Sequence, residues 1–122
     1  MSYGETYEAS VDEPTPIKRP INWNRLNAAD AERVIRERAQ KSENVMFGPH
    51  AWDRIDERSI TQPEAYEILR RGYVDGEPIR DTDGSWKVIM TRKMNRSRTA
   101  GVVTLILSGE DLFVKTVMWM DL

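Results

Sequence analysis

Thr61-Gln62-Pro63-Glu64-Ala65-Tyr66-Glu67-Ile68-Leu69-Arg70-Arg71-Gly72-Tyr73-Val74 is the stretch in which the chain changes period. Thr61 and Glu64 make a capping-box pattern, a hydroxyl and a carboxylate that reciprocally satisfy orphan N–H groups of a first helical turn. Ala65, Tyr66, Ile68 and Leu69 follow at helical spacing, and Gly72 supplies the stop. Beyond Gly72 the pattern becomes strand-like. Tyr73-Val74 opens a strand, Gly76 and Pro78 interrupt it, and Asp83-Gly84 is a hairpin signal. Trp86, Val88 and Met90 then alternate with Lys87, Ile89 and Thr91. Arg92 to Arg98 reads as a polar, basic turn, and Val102 to Leu107 as a central strand covered on both faces. Ser108 to Asp111 turns the chain, and Leu112 to Met120 alternates loosely.

Upstream of Thr61 the period is again helical. Asn27 is an N-cap for a helix from Ala28 to Lys41, with Ala31, Val34 and Ile35 as its apolar stripe. Glu32–Arg36 and Arg33–Glu37, each four apart, would lace its solvent face. Val45-Met46-Phe47 is a short apolar run, either an extended segment or a packed linker. Gly48-Pro49 then starts a helix from His50 to Arg58 with Ala51, Trp52 and Ile55 inward. The expected fold is α+β, with N-terminal helices packed on a three- to four-stranded antiparallel sheet. Residues 1–20, with Pro14, Pro16 and Pro20 and little apolar content, read as an acidic flexible tail. Residues 21–122 read as a single domain, with Trp23 pinning the end of the tail to the body.

Composition narrows the chemistry. With 122 residues the chain has room for one core. It has no cysteine and one histidine, which excludes disulfides, thiol catalysis, cysteine-ligated zinc and iron–sulfur clusters, and most histidine-rich metal sites. No metal or cofactor is expected. No apolar run approaches the roughly 20 residues needed to cross a bilayer, and no secretory signal opens the chain, so a cytoplasmic protein without membrane contact is expected. The net charge of −2 hides an asymmetry: residues 1–16 carry Glu5, Glu8, Asp12 and Glu13 and no base. The rest holds 18 basic and 16 acidic residues, and 13 of the bases are arginine. Guanidinium is the better fork for phosphate, so the acidic total does not exclude a nucleic-acid partner.

Two groups of residues could carry chemistry. His50, Arg54 and Arg58 recur every four residues along one predicted helix, where guanidiniums could hold a phosphate while the imidazole moves a proton. A structural alternative has His50 capping or packing at the helix start, with the arginines paired to Asp53, Glu57 or Glu64. The second group is the basic turn with Arg92, Lys93, Arg96 and Arg98, joined by Lys87, which could track a phosphate backbone. Its plain alternative is a solvated turn that keeps strand edges apart. Trp86 and Trp119 are in register with aliphatic neighbours and read as core.

Phe47-Gly48-Pro49-His50-Ala51-Trp52-Asp53-Arg54-Ile55-Asp56-Glu57-Arg58-Ser59-Ile60-Thr61, together with Leu69-Arg70-Arg71-Gly72 and Gly84-Ser85-Trp86, resembles a family of small bacterial and phage domains. Its pattern is a His-Ala helix, an Arg three residues after the Ala, a Glu-Arg pair, and a second helix ending Leu-x-x-Gly. The match spans residues 46 to 120. That family is similar to the RelE/BrnT-type toxins of the barnase–EndoU–colicin–RelE fold group. The resemblance implies helices on an antiparallel sheet and a metal-independent ribonuclease, neutralised by an antitoxin-like protein. In that reading His50 would be the general acid or base, and Arg54 and Arg58 would clamp the scissile phosphate. Lys87, Arg92, Lys93, Arg96 and Arg98 are assigned to RNA contact from their location alone. Such toxins are usually strongly basic, whereas this chain has a pI near 5.5. The alternative is a noncatalytic domain of the same fold that binds protein or nucleic acid in a phage or mobile-element setting.

Overall fold

A computed structural model describes residues 20–94 and 98–120. Asn27, in extended conformation, accepts the Asp30 N–H at 2.7 Å and starts α1, Ala28–Arg38. The helix stops three residues short of the expected Lys41. Gln40 and Lys41 reach back only to the carbonyls of Glu37 and Arg38, and the Asn44 side-chain amide takes the Arg38 carbonyl at 3.1 Å. A 3-10 turn, Ser42–Asn44, leads into β1, Val45–Phe47. Helix α2, Pro49–Arg58, begins with proline at N1 and ends at Ser59 in the left-handed region. Helix α3, Gln62–Arg71, carries the expected capping box in full: Thr61 Oγ1 accepts the Glu64 N–H, and Glu64 Oε1 accepts the Thr61 N–H.

Five more strands follow: β2, Tyr73–Val74; β3, Ile79–Arg80; β4, Trp86–Lys93; β5, Thr99–Ile106; and β6, Leu112–Trp119. The class is α+β as expected, but the sheet has six strands and is mixed. Its order is β1-β6-β5-β4-β2, with β3 beside β2 on the same edge of β4. The expected antiparallel meander is present in β4, β5 and β6. The addition is β1, which pairs parallel to β6 through Val45–Leu112, Met46–Phe113 and Phe47–Val114. The short apolar run between the first two helices is therefore an edge strand. It covers the otherwise open edge of β6.

All three helices contribute to one core. Ile35, Ile60, Ile68 and Leu69 are fully buried, and they join Val88, Met90, Val102, Leu112, Val114 and Val117 from one face of the sheet. Trp86 belongs to this core, and Trp119 packs against it partly buried. Alternation along β4 sets the two faces: Trp86, Val88 and Met90 are buried while Lys87, Ile89 and Thr91 are half-exposed. The apolar run in β5 was expected to be covered on both sides. Val102, Thr104 and Ile106 face the helices, while on the other face Gly101 and Leu105 are buried and Val103 is half-buried.

Gly72 is required by close approach. A Cβ there would come within 2.6 Å of the Thr91 carbonyl oxygen and would also strike the Ile68 carbonyl. The same residue's carbonyl receives both Nε and Nη2 of Arg36, at 2.9 and 2.6 Å, which ties α1 to the end of α3.

Candidate functional site

The positions of the predicted site residues follow from helix rise and strand parity. His50 is exposed in the first turn of α2, and Arg58 closes the same helix. Eight residues of α-helix separate them by about 12 Å. Arg54 is held at the surface by Glu57, Nη1 to Oε1 at 2.7 Å. Arg58 turns onto the sheet, and its Nη1 donates to the Val117 carbonyl at 3.0 Å. Arg54 and Arg58, which share a sequence pattern with His50, therefore make separate contacts.

The basic residues of the sheet divide between its ends and faces. Lys87 pairs with Leu105 at one end of β4, and Lys93 pairs with Thr99 at the other, about 20 Å away over six residues. Arg92 and Lys93 are neighbours in sequence, so they leave the strand on opposite faces. Arg92 goes to the helix side, where it meets Glu67 at 3.3 Å and donates to the Arg71 carbonyl. Lys93 is exposed. The turn between β4 and β5 is narrower than the expected Arg92–Arg98, because both strands extend into it. Arg96 lies outside the described residues.

Arg98 stacks on Trp119 with its guanidinium carbon 4.0 Å from the ring centroid. Trp119 in turn donates Nε1–H to the Arg58 carbonyl at 2.8 Å. Arg58, Trp119 and Arg98 thus gather on the helix side at one end of the sheet, where Trp119 pairs with Ala100 and the Met120 N–H reaches the Thr99 carbonyl, and Lys93 leaves the same end on the opposite face. The guanidinium carbon of Arg98 thus lies within cation–π reach of the indole. His50 is not part of this group.

The sequence reading missed a cleft of about 610 Å³ at the opposite end, lined by Trp23, Arg38, Arg80 and Trp86 among others. Its arginines are largely committed. Arg38 lies over Trp23 and donates Nη1 to the Leu107 and Asp111 carbonyls; burial lowers its pKa from the ordinary value, while Glu110, Asp111 and Glu37 oppose that. Arg80 lies over Trp86 and donates to the Gly84 and Trp23 carbonyls. Trp86 Nε1 donates to the Trp23 carbonyl as well, at 2.9 Å. Trp23 does pin the entry of the chain to the body, and these contacts explain how. The pairing of Trp23 with Trp86 spans 63 residues and left no local signal.

Among the described residues no group of three or more His, Asp and Glu is placed to hold a metal ion, and no helix is long and apolar enough to cross a membrane. Compared with protein-family models, curated proteins and solved structures, the chain finds no match.

Proposed function

We propose that this chain is a noncatalytic RNA-binding domain whose contact surface is the sheet end formed by Lys93, Arg98 and Trp119. The observation that carries this reading is the stacking of Arg98 on Trp119 at the sheet end from whose other face exposed Lys93 projects, with His50 at the far end of α2. Cations gathered at one sheet end suit a single strand, because they follow its phosphates without reading its bases. Catalysis by transesterification needs an acid or base and a charge-stabilising group at one phosphate. Arg58 is bonded to Val117 about 12 Å along the helix from His50, and Arg54, one turn from His50, is paired with Glu57.

The test is fluorescence anisotropy with a short labelled single-stranded RNA over a salt series, followed by recovery of the RNA. Expected are binding that weakens with salt, with a log–log slope of about −2 for two to three neutralised phosphates, and intact RNA. Absence of binding at low salt overturns the proposal. The exposure of His50 favours a second reading, the metal-independent RNA-cleaving toxin. Cleavage of the probe that disappears in His50→Ala would establish that reading in its place.

A further inference from the structure

The face of the sheet turned away from the helices carries Met46, Ile89, Val103, Leu105, Phe113 and Met118, by strand parity and register. None of them belongs to the helix-covered core: Met46 is 42% exposed, Ile89, Val103, Phe113 and Met118 are half-buried, and Leu105 is buried at 8%. Met120 extends this surface across Gly101, where a Cβ would come within 2.7 Å of its Sδ. No described helix packs here. Lys87 and Lys93 stand on the same face at its two ends, and the exposed Lys115 sits in the bulge between the Val103–Thr116 and Thr104–Val114 pairs.

We propose that residues 3–13 of this chain dock in extended form across that face, with Glu13 beside Lys87 and Glu5 beside Lys93, so that this segment and RNA compete for Lys93. Size, charge and reach select this occupant. Three strands of eight residues make a surface of roughly 26 by 15 Å, or about 400 Å². That is half of the roughly 800 Å² per partner of a stable protein–protein interface, but it is enough for one strand-like segment. Face-to-face pairing of two copies would also set lysines against lysines. The segment carries Glu5, Glu8, Asp12 and Glu13, and between them Tyr7, Ala9 and Val11 alternate with polar residues, which puts one apolar side toward a flat surface. Extended, the stretch from Glu5 to Glu13, whose two ends share the side of Tyr7, Ala9 and Val11, spans about 26 Å, enough to bridge the separation of about 20 Å between Lys87 and Lys93. The described chain enters at Pro20, and the Trp23 carbonyl is bonded to Trp86 next to Lys87. Seven residues from Glu13 to Pro20 reach up to about 23 Å, enough to pass from there around the sheet edge.

The cysteine-free sequence allows a direct test in the full chain. Ser10→Cys gives a single attachment point for a nitroxide, and the six methionines give methyl NMR reporters, three of which (Met46, Met118 and Met120) lie on the face in question. An unchanged Met90 shift in the reduced, diamagnetic sample certifies the fold. The expected result is loss of more than half of the Met118 and Met120 signal, restored when the nitroxide is reduced. The loss should be abolished by Glu5→Lys, Glu8→Lys, Asp12→Lys and Glu13→Lys together. Signals that do not respond to the nitroxide overturn the proposal. So does an equal loss when isotope-labelled protein without the nitroxide is mixed with unlabelled protein carrying it, because the occupant would then be a second copy.

Discussion

Trp119 donates its indole N–H to the carbonyl oxygen of Arg58 across 2.8 Å, joining the last strand of the sheet to the last residue of α2. Carbonyls in the final turn of a helix have no partner within the helix, so this bond satisfies one that would otherwise depend on water. Ring and strand also hold Arg98 and Arg58, since one lies over the indole and the other donates to Val117. One side chain thereby fixes the helix end and the proposed RNA contact together.

Trp119→Phe keeps an aromatic ring but removes the donor together with part of the indole that packs on the core. It should lower stability by about 1–2 kcal/mol, the cost of an unsatisfied, partly buried acceptor. Urea unfolding should show a lower midpoint with an unchanged slope, since the surface exposed on unfolding stays the same. An unchanged midpoint would mean that the bond contributes nothing to stability.

Ser59 follows α2 with φ of 57°, the single non-glycine residue with positive φ among the described residues. An L side chain is strained there and glycine is not. Ser59→Gly should therefore raise stability by about 0.5–1 kcal/mol, visible as a melting midpoint a few degrees higher. The gain is limited because glycine also adds freedom to the unfolded chain.

Much of the fold was legible because its signals are local. The Asn27 cap, the Thr61–Glu64 box and the Trp86–Val88–Met90 alternation each depend on residues within a few positions of one another, and each is present in the structure. The parallel pairing of Val45–Phe47 with Leu112–Val114 was not legible, because three residues show no period and the partner is 67 positions away. Strand parity also explains the divided site. Once β4 runs through Lys93, Arg92 must turn to Glu67 and Lys93 to the helix-free face, whereas a turn over 92–98 would have let both point the same way. The helical spacing of His50, Arg54 and Arg58 was read correctly, but their partners Glu57 and Val117 decide what each side chain does.

Gly72→Ala tests the packing of α3 on β4. The added carbon would meet two backbone carbonyls, of Ile68 and Thr91, neither of which can move by a rotamer change. A loss of about 3 kcal/mol or more is expected, at the upper end for a single substitution. Gly76→Ala, where the added carbon meets nothing within 4 Å, is the control: its cost should be that of the positive φ alone, about 1 kcal/mol.

Ser85 holds the Asp83 carboxylate below its ordinary pKa, chiefly through the hydroxyl at 2.6 Å and also through its N–H at 3.0 Å. A carboxylate with a depressed folded pKa adds stability above its unfolded value of about 3.9, and that contribution is lost as pH falls through the folded value. Ser85→Ala removes the larger cause. The Asp83 midpoint, followed by carboxyl-carbon NMR, should rise toward the ordinary value, and this part of the acid-limb stability should disappear. A midpoint unchanged in the variant would show that the hydroxyl is not the cause.

The RNA-binding reading makes opposite demands on two exposed residues, Arg98 and His50. Arg98→Ala removes the cation over Trp119 and should weaken single-stranded RNA binding about 10-fold at low salt, with the log–log salt slope shallower by about 0.7 for one lost phosphate contact. His50→Ala, at the other end of α2, should change neither the affinity nor the slope. The slope separates contact from structure: general loosening would lower affinity without removing one counterion's worth of salt dependence. If His50→Ala weakens binding as much as Arg98→Ala does, the RNA must run along α2 rather than across the sheet end, and the proposed surface is wrong.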